Sequence, residues 1–155
     1  MAGLKLITFS DAAGSRAGVL LDGGRVLDLG AAMPPARDMI ALIEAGPAAL
    51  DQVRTLAANP PAAAVLPLAE VALQAPIPRP RRNVFCVGRN YMDHVAEGAR
   101  TRGITTSEVP KYPQFFTKAG DTVIAPDAPV PAHEGVTKWL DYEVELVAVI
   151  GKAGC

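Results

Sequence analysis

An α+β fold is predicted by three features of the chain. Short apolar runs separated by glycine turns open it, two stretches of helical periodicity follow between residues 39 and 59, and further strand-like runs appear beyond residue 82. Strands and helices come in blocks, as they do in α+β chains. Of 155 residues, 50% are hydrophobic and 20% charged, which suits a globular core and is too apolar for a disordered tail. A net charge of −1 leaves no electrostatic footprint for nucleic acid or an anionic membrane.

The elements follow in order. Leu4–Phe9 and Ala17–Leu21 are mostly apolar and read as strands, and Asp22-Gly23-Gly24 is a hairpin turn into Val26–Leu29. Met39, Leu42 and Ile43 recur at i, i+3 and i+4 until Gly46-Pro47 stops the helix; Leu50, Val53 and Leu56 form a second helical face that ends at Asn59-Pro60-Pro61. These residues define a small N-terminal domain over 1–70. Residues 71–82 read as a Pro/Arg-rich connector, in which Arg79, Arg81 and Arg82 beside prolines fit a solvated linker better than a nucleic-acid patch.

A second domain is expected over 83–155. It opens with a buried-looking strand, Asn83–Gly88, and a short helix from Asn90 to about Gly98, with Asn90 as the cap and Gly98 as the stop. The stretch 101–113 reads as a loop. Strands are expected at Gln114–Thr117 and Thr122–Ala125, on either side of a Gly120-Asp121 turn. The clearest strand runs from Asp141 to Ile150 and is apolar enough to want neighbours on both faces. No apolar run reaches the ~18 residues of a membrane helix. Cys86 and Cys155 make no disulfide framework. The expected setting is cytoplasmic and soluble.

Several side chains could carry chemistry. Glu143 and Glu145, one residue apart on the expected strand, project from one face with α-carbons about 6.5 Å apart. Such a pair suits a hard divalent cation (Mg²⁺, Mn²⁺ or Ca²⁺), or is a solvent-facing stripe. His94 and Glu97 share a helix face at i and i+3, where the carboxylate can orient an imidazole base or form a weak exposed ion pair. Arg89 and Tyr91 flank the expected cap, and Lys118 ends a strand; each is a carboxylate-binding candidate or a surface residue. His133, beside Glu134 and Gly135, reads as structural or surface. No nucleophile elbow, P-loop, dinucleotide fingerprint or C-x-x-C occurs.

Two stretches together resemble the fumarylacetoacetate hydrolase family: Gly88-Arg89-Asn90-Tyr91-x-x-His94-x-x-Glu97, and Asp141-Tyr142-Glu143-x-Glu145-Leu146. Pro113-Gln114-Phe115-Phe116-Thr117-Lys118 between them also fits. The resemblance implies a small N-terminal domain followed by the start of a mixed β-roll core in a homodimer. It also implies Mg²⁺ or Mn²⁺ on Glu143 and Glu145, and water activated by the His94–Glu97 pair. The implied reaction is hydrolysis of a C–C bond in a small 2,4-dioxo acid; the alternatives are a 2-oxo-acid isomerase or decarboxylase, or a chain without activity of its own. Family members usually add a third metal carboxylate from a later strand, and none is found after Glu145, so the catalytic domain is expected to be incomplete. Val87 and Gly88 stand near where fumarylacetoacetase proper has a further aspartate, which disfavours that subgroup.

Overall fold

The computed structural model of the chain describes residues 3–34, 37–101, 103 and 111–152; the side chains of residues 94, 95, 97, 99 and 101 also lie outside the described set. The fold is α+β, with two compact units: Met1–Pro78 with Val123–Cys155, and Arg79–Thr122.

In the first unit, β1 (Leu6–Asp11), β2 (Gly14–Leu21), β3 (Arg25–Asp28), β4 (Val65–Pro67) and β5 (Ala72–Leu73) make an antiparallel sheet in the order β4-β3-β2-β1-β5. The β2–β3 hairpin turns at Gly23 and Gly24, whose φ values of +73° and +67° suit glycine and few other residues. Three helices follow the hairpin. Helix α1 (Leu29–Ala32) is capped by Asp28, whose carboxylate accepts from the Ala31 N–H at 3.1 Å. Asp38 caps α2 (Met39–Glu44) in the same way, at 2.8 Å from the Ala41 N–H. Ala45 separates α2 from α3 (Gly46–Ala58), which opens on Gly46 at φ +75°, has Pro47 in its first turn and is followed by Asn59 as its C-terminal cap.

Strand alternation sends Ala17, Val19 and Leu27 to one face of the sheet, where they pack with Leu29, Met39, Leu42, Ala49, Val53 and Ala64 into the core. The opposite face carries a polar hub. Arg16 donates from Nη1 and Nη2 to both carboxylate oxygens of Asp11, at 2.7 and 2.6 Å, and from Nε to Asp28 at 2.7 Å. Its guanidinium lies 4.6 Å from the centre of the Phe9 ring, its direct cross-strand neighbour. A Cβ on Gly18 would come within 2.7 Å of that ring, so the bare glycine gives Phe9 its place.

In the second unit, β6 (Val84–Gly88) pairs antiparallel with β7 (Gln114–Lys118), Val84 opposite Lys118 and Gly88 opposite Gln114. Helix α4 (Met92–Thr101) lies between them in sequence. Asp93 in its first turn and Arg100 in its last both match the helix dipole. The ladder's large side chains stay in solvent: Phe85 and Phe115 are each 69% exposed.

The structure revises several sequence expectations. The stretch expected as connector contains β5, which pairs with Phe9 and Ser10 of β1, and β4 lies just before it. Short apolar pairs among prolines carry no readable period, so these edge strands were not foreseen. Helix α4 starts two residues after Asn90 and runs through Gly98, since one interior glycine costs only about 1 kcal/mol and does not by itself end a helix. Gly120–Thr122 forms a 3₁₀ turn, and no strand follows at 122–125. Residues 141–150 join no ladder, and Val144 and Leu146 are 89% and 90% exposed. A strand exists through its hydrogen-bonded neighbour, and none among the described residues pairs with this stretch. No helix among the described residues is long and apolar enough to cross a membrane.

Candidate active site

The motif residues of the second unit sit around the β6-to-α4 junction. β6 ends at Gly88, Arg89 turns with φ +53°, Tyr91 is partly exposed, and α4 carries residues 94 and 97 one helical turn apart. The side chains of His94 and Glu97 lie outside the described residues. So does most of the loop at 101–113.

Lys118 is at the other end of the ladder. Four residues separate its register position from that of Gln114, about 13 Å along the strand. It is exposed, with Nζ 6.0 Å from the centre of the Phe116 ring. Arg89 and Tyr91 are thus grouped at one end of the β6–β7 pair and Lys118 stands at the other.

Glu143 and Glu145 belong to the Val123–Cys155 part of the first unit, and both are exposed. Since their stretch joins no sheet, the shared face expected from strand alternation is not imposed by a ladder. Glu143 has an interaction partner, as does Arg89. The donor chemistry fits a hard divalent cation: two carboxylates, one residue apart, both open to solvent. Among the described residues no group of three or more histidine, cysteine, aspartate or glutamate side chains could hold a metal, so these two are a partial donor set.

Sequence patterning missed two features. The Asp11–Arg16–Asp28 hub holds Asp11 down to about 2, first because Arg16 hydrogen-bonds its carboxylate and then because the Ala13 N–H does. It raises Arg16 in turn, mainly through Asp11. Cross-strand register alone joins these residues, and register is not written in local periodicity. The left-handed turn at Arg89 was also missed; its sequence signal is the flanking Gly88 and Asn90.

Comparison with known proteins bears on the same residues. The family described as "Fumarylacetoacetate (FAA) hydrolase C-terminal" matches residues 83–155. Oxaloacetate tautomerase YisK of Bacillus subtilis is 46% identical over 87 residues, 56% of this chain and 27% of that protein. The mitochondrial oxaloacetate tautomerase FAHD2A of Bos taurus is 40% identical over 136 residues, 86% of this chain and 39% of that protein. Its Homo sapiens counterpart is 38% identical over 137 residues, with the same two shares. The chain therefore spans well under half the length of these relatives. Through residues 83–155, which hold both motifs, the chain belongs to the fumarylacetoacetate hydrolase family.

Proposed function

We propose that the chain carries catalytic residues of an enzyme that interconverts the keto and enol forms of oxaloacetate or a closely similar 2-oxo dicarboxylic acid. One observation carries this reading: bacterial and mitochondrial relatives at 38% to 46% identity are named oxaloacetate tautomerases. They support the isomerase alternative over the C–C hydrolysis first expected from the motifs.

The chemistry asks little of the protein beyond moving a proton. In the enol-to-keto direction, one proton leaves the enol oxygen and one arrives at carbon 3, with no water consumed and no C–C bond broken. His94 is the group for this work, because an imidazole can both accept and donate a proton. Glu97, one turn on along α4, is its orienting carboxylate. Arg89 and Tyr91, at the same end of β6, are the substrate-carboxylate candidates, and Lys118 is a weaker one. Glu143 and Glu145 would hold the divalent cation, Mg²⁺ or Mn²⁺, whose contribution when bound is to polarise the substrate's oxygens as a Lewis acid. The reading includes a homodimer, checked by light scattering.

The test follows enol oxaloacetate by its ultraviolet absorbance while pyruvate release from acylpyruvates is measured in parallel. Accelerated loss of the enol, reduced about 10²- to 10⁴-fold in His94→Gln, is the expected outcome. Acylpyruvate cleavage without enol conversion would return the assignment to C–C hydrolysis.

A further inference from the structure

Arg89 occupies a backbone conformation that its side chain does not suit. Its φ of +53° is left-handed, where Cβ crowds the following carbonyl. Among the described residues, the other non-glycine residues with positive φ are Asp127 and His133, both of types enriched in that region; arginine is not. The neighbours sharpen the contrast. Gly88 and Asn90 are the two residue types that enter this region most readily, yet neither does so here. The strained conformation falls on the least suited member of Gly88-Arg89-Asn90.

Its place in the fold supplies a reason. Gly88 is paired with Gln114 as the last rung of β6, and α4 begins at Met92. Three residues must therefore turn the chain from a ladder into a helix, and Arg89 is the first of them outside the ladder. A residue held in such a conformation persists where the surrounding structure over-determines it, and these sites cluster at functional positions. Resting on the reading of His94 and Glu97 as the proton-transfer pair, we infer that Arg89 is a positioning residue, whose left-handed backbone sets where α4 starts after β6 and thereby where His94 stands. The role inferred here belongs to the backbone conformation of Arg89.

The conformation and the side chain are separated by substitution. Arg89→Gly and Arg89→Asn remove the guanidinium and keep access to positive φ; Arg89→Ile is β-branched and resists it. Nuclear magnetic resonance on the 155-residue chain, in a His133→Asn background, reads amide hydrogen exchange over Met92–Thr101 and the ring chemical shifts of His94. Arg89→Gly and Arg89→Asn are expected to keep the protection and His94 shifts of the unsubstituted background. Arg89→Ile is expected to lose about tenfold in protection and to move the His94 shifts.

Wild-type behaviour of Arg89→Ile would overturn the inference. So would an Arg89→Gly as disturbed as Arg89→Ile, which would assign the role to the guanidinium. Lost protection with unmoved His94 shifts would reduce the turn to a stabilising one and overturn it equally. None of these readouts uses turnover, so their failure is distinct from failure of the tautomerase reading.

Discussion

The five-stranded sheet and the two-stranded β6–β7 pair are built from similar residues and reach opposite ends of the burial scale. Phe9, Val26 and Leu27 are fully buried in the first, whereas Phe85, Phe115 and Phe116 of the second stay between 47% and 69% exposed. The difference lies in neighbours. The first sheet has three helices against one face and the Arg16 hub on the other, so each strand gains packing as well as hydrogen bonds. A lone two-stranded pair in water is marginal. The well-packed sheet holds none of the motif residues, and Tyr91, Lys118, Glu143 and Glu145, all exposed, stand outside it.

The largest expected effect of this contrast is on thermal unfolding. Leu42→Ala removes a fully buried side chain and should cost about 2 to 5 kcal/mol, while Phe85→Ala should cost under about 0.5 kcal/mol in the same melt. Equal losses at the two positions would erase the distinction between the regions.

Next in size is Arg16→Met. It strands Asp28, a nearly buried carboxylate that also caps α1, and should cost about 2 to 3 kcal/mol. Amide exchange would show the loss in β1, β2 and α1 and leave β6 and β7 as before.

The smallest effect is on acid stability. The folded-state pKa of Asp11 is lowered to about 2 from an ordinary 3.8, so its contribution is complete above the ordinary value and disappears as pH falls toward 2. Acid titration of the wild type should therefore lose stability of the sheet over that window, and Asp11→Asn should flatten the curve there. An unchanged slope in Asp11→Asn would place the acid sensitivity in another group.

Much of this was legible in the sequence, for physical reasons that differ by element. The β2–β3 hairpin and the two helices after residue 38 were readable because Gly23, Gly24 and the Met39–Leu42–Ile43 spacing are local signals. Edge strands β4 and β5 were not, because two or three residues carry no period and are held by partners far along the chain. The stretch 141–150 shows the converse error: Val147–Ile150 has strand composition, but composition does not supply a ladder. The candidate site was legible as pattern alone. His94, Glu97, Glu143 and Glu145 are spaced for chemistry, whereas Gly88 and Asn90 signal a turn before α4 without showing that Arg89 between them takes the left-handed conformation.

One comparison bears on the whole functional reading: the rate of oxaloacetate enol-to-keto conversion with and without Mn²⁺, for the wild type and for Glu143→Gln/Glu145→Gln. Rate enhancement that requires Mn²⁺ in the wild type and disappears in the double variant, with the fold retained because both carboxylates are exposed, is the predicted result. Mn²⁺-dependent conversion that survives loss of both carboxylates would contradict the assignment of Glu143 and Glu145. Absence of any protein-dependent conversion would contradict the tautomerase reading itself.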